Sequence, residues 1–186
     1  MAKKNIGKDF EHRFAEASKK QGIYTHRLKD TDLSYNGNSV SSYTPKNKCD
    51  FYLFKSFKGH LGCLFGIECK STKYPSIGIQ PTEEDPKKMI MAHQLESLRD
   101  LSKNNIYAGF VLNFRDEDLN EESTYYLSIE KMDEFLLETH KKSINETDCR
   151  MRALPMDSIL KRTKYTYDVD KMITDIIRED VNKKDF

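Results

Sequence analysis

The sequence predicts an α/β fold, a mixed β-sheet flanked by helices, in a single domain over residues 1–186. Three observations lead there. Two apolar runs, residues 50–57 and 61–71, are separated by Lys58, Gly59 and His60 and read as a β-hairpin with a short glycine-containing loop. A continuous apolar run over residues 105–114 has the pattern of a strand buried on both faces. Stretches with apolar residues at helical spacing lie before, between and after these runs, and elements in that order pack as helices on a sheet. With 186 residues, 37% hydrophobic and 33% charged, the chain is long enough to bury a core and polar enough to be a soluble globular protein.

Taken in order, Ile6, Phe10, Phe14 and Ala17 form the apolar stripe of a helix over residues 5–20, and Gly22 is its stop. Residues 23–28 form a short strand. Residues 30–48, DTDLSYNGNSVSSYTPKNK, are rich in Ser, Asn and Gly and form a loop or short arm. The hairpin follows. Residues 74–88, YPSIGIQPTEEDPKK, hold three prolines and are a loop. A helix over residues 89–103 carries Ile90, Met91, Leu95, Leu98 and Leu101. Next come the strand at 105–114, a turn, RDEDLNEES, a strand at 124–129 and a helix at 130–142 with Met132, Phe135, Leu136 and Leu137 as its apolar residues. A polar stretch leads to a last helix at 171–181, with Met172, Ile173, Ile176 and Ile177 on one face. There is no internal repeat, low-complexity segment or interdomain linker.

Several classes of function drop out. No run approaches the ~18 apolar residues of a membrane span, and MAKKNIGKDFEH has no apolar core of a signal peptide, so a cytoplasmic protein without a membrane partner is expected. Cys49, Cys63, Cys69 and Cys149 form no CxxC pair and read as reduced, structural thiols. The five histidines are scattered, which disfavours zinc. The near-neutral net charge conceals an asymmetry. Residues 1–29 carry eight Lys/Arg against three Asp/Glu, residues 46–73 six against two, and residues 116–138 one against nine. A basic surface on a near-neutral protein suits a polyanion approached from one side, with Lys3, Lys4, Lys8, Lys46, Lys48 and Lys73 as candidate phosphate contacts.

Centring the hairpin on Gly59 sets Phe51 opposite Ile67, Leu53 opposite Phe65, Phe54 opposite Leu64, and Asp50 opposite Glu68. Directly opposite residues share a face, as do residues two apart on one strand, so Asp50, Glu68 and Lys70 converge at one end of an otherwise apolar hairpin. Two carboxylates that close repel unless a cation lies between them. Oxygen ligands that leave positions open for water and phosphate describe a Mg²⁺ site, with Asp50 and Glu68 as ligands and the Cys69 carbonyl as an additional one. Lys70 would then hold the scissile phosphate or help deprotonate the attacking water, which suits phosphodiester hydrolysis. Gln94 shares the stripe of Ile90 and Leu98 and points toward the sheet, and Glu11 lies beside Phe10 and Phe14 on the first helix as a further acid. ExK on a strand is also common as a surface salt bridge, so a non-catalytic binding module in which these groups form a structural ion pair stands as an alternative.

Asp50, Glu68-Cys69-Lys70 and the preceding helix with Glu11 resemble the PD-(D/E)xK nuclease superfamily. The resemblance sharpens toward the RecU-type Holliday-junction resolvases and runs through NIGKDFE, CDFYLF, IECKSTK, AHQLESLRDL, YAGFVLNF, TYYLSIEKMDEFL and TKYTYDVDKMI. It implies a restriction-endonuclease-like fold and a homodimeric, Mg²⁺-dependent endonuclease that cuts branched DNA in recombination and repair. Mn²⁺ would substitute, and no small-molecule cofactor is implied. The implied site has Asp50 and Glu68 as metal ligands, Lys70 as catalytic lysine, and Glu11 and Gln94 in support. Two departures are visible. Lys48 stands where the family has a hydroxyl residue, and the segment 30–48 replaces a long basic stalk with one holding just two lysines near its end. A nuclease of phage or defence type acting on simple duplex or single strands is therefore the alternative substrate reading.

Overall fold

A computed structural model describes residues 6–28, 47–57, 62–81 and 89–184. In chain order the elements are α1 (Ile6–Lys20), β1 (Tyr24–Arg27), β2 (Phe51–Lys55), β3 (Cys63–Thr72), β4 (Ser76–Gly78), α2 (Ala92–Lys103), β5 (Tyr107–Asp116) and β6 (Glu121–Ser128). They continue with α3 (Ile129–Thr139), β7 (Ser143–Asn145), α4 (Glu146–Arg152), β8 (Leu154–Met156), β9 (Ser158–Lys161), β10 (Lys164–Tyr167) and α5 (Val169–Lys184). Six strands form one sheet in the order β1-β2-β3-β5-β6-β8. Its β3–β5 pair is parallel and the others are antiparallel, so the sheet is mixed as expected. Parallel neighbours need a long crossover, and α2 supplies it between β3 and β5.

Strand alternation divides the core in two. Phe65, Ile67 and Cys69 of β3 pack with Phe10, Phe14 and Ala17 of α1 and Met172, Ile173 and Ile176 of α5. Phe110, Leu112 and Phe114 of β5 face the other way, onto Leu95, Leu98 and Leu101 of α2 and Met132 and Phe135 of α3. Each fully buried side chain of this size stabilises the fold by about 1.5–3 kcal/mol, which is why both faces carry a helical layer. Gly22, the stop read from the sequence, follows α1 with φ 73°, and His140 closes α3 in the left-handed conformation.

Three expectations change. The helix placed over 130–142 stops at Thr139, because His140 leaves the helical conformation. The apolar hairpin is buried unevenly, since Tyr24, Phe54 and Leu64, adjacent across β1, β2 and β3, are exposed. The loop at 74–88 contains β4, and the polar stretch before the last helix contains β7, α4, β8, β9 and β10. β4 and β7 pair with each other, burying Ile77 against Ile144. Elements of three to seven residues are shorter than the window in which a period can be read.

Candidate active site

Regular pairing between β2 and β3 runs from Lys55–Cys63 to Phe51–Ile67, the register expected from a turn at Gly59, which itself lies outside the described residues. Asp50 sits one residue beyond that ladder. Its N–H donates to the Ile67 carbonyl at 3.0 Å. Its carboxylate turns along β3, and Oδ2 accepts from the Cys69 N–H at 2.8 Å. The side chain thereby supplies Cys69 with an acceptor where β2 has ended. The N–H and C=O of one strand residue leave from the same edge, so the Cys69 carbonyl also lies on the edge that Asp50 covers. The Cys69 thiol is buried in the α1/α5 layer and burial pushes its pKa well up, which leaves the carbonyl as the only group this residue can offer a cation.

Glu68 lies on the opposite face of β3, 4% exposed and facing α2. Lys70, two residues on and on the same face, donates from Nζ to Glu68 Oε1 at 2.8 Å. Gln94 comes from the first turn of α2. Its Oε1 accepts the Met91 N–H at 3.0 Å, and this fixes the amide so that Nε2 is the end that donates to Glu68 Oε1. With both donors on Oε1, Oε2 is the oxygen that Glu68 can present to a ligand. Glu11, on α1, accepts from Arg27 Nη2 of β1 and acts on Glu68 through its charge. The structure thus brings Glu11, Asp50, Glu68, Lys70 and Gln94 together.

Glu68 is pushed up to about 7, first by burial and then by the charges of Asp50 and Glu11, against the opposing pull of Lys70. One ammonium does not compensate a buried carboxylate with two acids nearby. Among the described residues no group of three or more His, Cys, Asp and Glu is placed as a metal cage. The available donors are instead two carboxylates and a main-chain carbonyl. They are all hard oxygens and fit a cation that keeps much of its own water, as Mg²⁺ does.

The predicted basic contacts divide. Lys3, Lys4 and Lys46 lie outside the described residues. Lys48 pairs with Asp100 of α2, an acid outside the acid–lysine cluster. Lys73 pairs with Glu117 at 3.4 Å, and both of these pairs are exposed, where an ion pair is weak enough to exchange for a phosphate. Lys8 is in the first turns of α1. Arg27 was not expected. Nothing near it in sequence marks it, because its place beside Glu11 depends on β1 pairing with β2 through Arg27–Phe51. A buried cluster, in which Glu122 of β6 accepts from Arg13 of α1 at 3.1 Å and from the Tyr167 hydroxyl, ties α1 to the sheet below Cys69.

Fold and site together define a mixed α/β domain with an acid–lysine cluster on its third strand. No protein-family model matches the chain. It is 30% identical over 198 residues to the SPbeta prophage-derived uncharacterized protein YotM of Bacillus subtilis (strain 168), an alignment covering 98% of this chain and 92% of the relative. The chain belongs to the family of that prophage protein. Among solved structures it is similar to Hjc of Archaeoglobus fulgidus, a Holliday junction resolvase from an archaeal hyperthermophile, at 18% identity and a TM-score of 0.47, covering 80% of this chain and 95% of that one.

Proposed function

We propose that this protein is a divalent-metal-dependent DNA endonuclease of the PD-(D/E)xK type, related to the RecU-like resolvases and acting as a homodimer on branched DNA. The observation that carries the reading is the convergence of Asp50, Glu68 and Lys70 where β2 ends, with Gln94 locking one oxygen of Glu68. Asp50 and Glu68 would hold the cation, with the Cys69 carbonyl beside them. A bound Mg²⁺ or Mn²⁺ supplies Lewis acidity at the phosphoryl oxygens and acidity to water in the site. Gln94 keeps Oε2 of Glu68 turned outward. Lys70 rests on Glu68 and, with DNA present, can move its ammonium onto the scissile phosphate, stabilising charge that develops on the phosphoryl group. Glu11, held by Arg27, adds negative charge that favours a cation at Glu68.

A second reading keeps the chemistry and changes the substrate to simple duplex or single strands, favoured by the shortness of the segment 30–48. Labelled four-way junction, flap, linear duplex and single-stranded DNA incubated with Mg²⁺ separate the two. Symmetrical cutting confined to the junction supports the resolvase. Equal cutting of duplex supports the second reading, and no cutting of any substrate with Mg²⁺ or Mn²⁺ removes both.

A further inference from the structure

β9 and β10 form a two-stranded ribbon separate from the main sheet. Its base is held firmly. Tyr167 is 1% exposed and donates to Glu122, the Tyr165 hydroxyl donates to the Asn120 carbonyl at 3.1 Å, and the Asp168 N–H donates to the Asp157 carbonyl at 2.9 Å. Beyond those anchors Ile159, Leu160, Lys161, Arg162, Thr163 and Lys164 are all exposed. The body-facing side carries Tyr165 and Tyr167, so alternation places Ile159, Lys161, Lys164 and Thr166 on the outward side.

The charges at the tip are arranged against the ribbon's own stability. Lys161 and Lys164 stand directly opposite each other on the ladder, a position in which like charges repel. Between them Arg162 adopts φ 59°, a conformation that favours glycine or asparagine. Among the described residues none of these three cations has a carboxylate partner. Several other cations are matched, Arg99 with Asp133, Lys141 with Asp148 and Arg152 with Glu138. Acids are nearby, because Tyr165 is bonded to the turn between β5 and β6. There Glu117 is taken by Arg115 and Lys73 and Asp116 caps the N–H groups of Asp118 and Leu119, while Asp118 and Glu121 are exposed and pair with none of the three ribbon cations. Three clustered, unmatched cations on a rigid stem are stabilised by a polyanion.

The ribbon is also at the right end of the molecule. It is anchored to Asn120 and Glu122, at the start of β6, which pairs with the end of β5. The end of β5 lies beside Thr72 on β3, two residues beyond Lys70. Resting on the nuclease reading, we propose that the β9–β10 ribbon is a second DNA contact, with Lys161, Arg162 and Lys164 binding backbone phosphates and Ile159 apposed to the groove. A major groove admits a two-stranded ribbon.

Fluorescence anisotropy of a labelled mixed-sequence duplex and a four-way junction, in Ca²⁺ over a salt series, tests this. K161A/R162A/K164A should bind about tenfold or more weakly, with a log–log salt slope shallower by up to about 3. R162G, which keeps the turn, should lower the slope by about 1. Unchanged affinity and slope in both variants overturn the ribbon contact, and if the wild type still cuts DNA with Mg²⁺ the nuclease reading stands without it. A wild type that neither binds nor cuts DNA overturns both.

Discussion

Glu68 concentrates the electrostatics of the site. Its Oε1 takes two donors, and burial beside Asp50 and Glu11 holds the carboxyl near neutrality. Replacing Asp50 by Asn, Glu68 by Gln or Lys70 by Ala is expected to lower cleavage by roughly 10²–10⁴-fold in single-turnover assays while leaving DNA binding largely intact. Cutting at the wild-type rate by any of the three would remove that residue from the site. The raised pKa also has a sign. Between the ordinary 4.5 and about 7 the folded protein holds a proton on Glu68 that the unfolded chain has released. The stability this gives is complete below about 4.5 and is lost as pH rises to about 7. In urea titrations without divalent metal the loss should reach at most about 3 kcal/mol, and it should be missing from Glu68→Gln. The residue pattern showed Asp50, Glu68 and Lys70 through the two-residue period of a hairpin, and Gln94 through the stripe of α2. It expected Asp50 squarely opposite Glu68, whereas the ladder ends at Phe51 and the Asp50 carboxylate bonds to the Cys69 N–H instead.

At the scale of elements, the site is an assembly of β3 with the beginnings of α1, β2 and α2. Leu98 is fully buried one turn beyond Gln94, so Leu98→Ala should destabilise the protein by about 2–5 kcal/mol and loosen the contact between α2 and Glu68. Thermal denaturation followed by circular dichroism measures the first effect. The sheet has less room at Gly109, where an added Cβ would lie 2.5 Å from the Leu127 carbonyl oxygen and 2.9 Å from the Tyr126 ring. A backbone oxygen on the paired strand cannot rotate aside, and Gly109→Ala should cost about 1–3 kcal/mol in the same measurement. The long elements were legible because an apolar stripe repeats several times along α1, α2 and α5, and β5 is apolar from Tyr107 to Leu112. The short ones were not, and β9–β10 in particular reads as part of a polar stretch because its outward residues are solvated and its stem is held by long-range bonds of Tyr165, Tyr167 and Gln21.

For the whole molecule, the asymmetry in charge is a statement about approach. Basic residues dominate segments 1–29 and 46–73, and acidic ones dominate 116–138. DNA affinity should fall steeply with salt, as expected where several phosphates are neutralised, and a flat dependence in the anisotropy titration would contradict the polyanion reading. The hairpin register, its acid–lysine end and the two-layered core follow from local order, since strand alternation and helical stripes need only neighbours in sequence to be read. The parallel pairing of β3 with β5, the capture of Glu11 by Arg27, the seating of Gln94 on Glu68 and the anchoring of the ribbon to Asn120 depend on chain closure over long separations. Such contacts form where the summed burial of two distant surfaces exceeds the entropy of closing the loop between them, and no local period in the sequence encodes that balance.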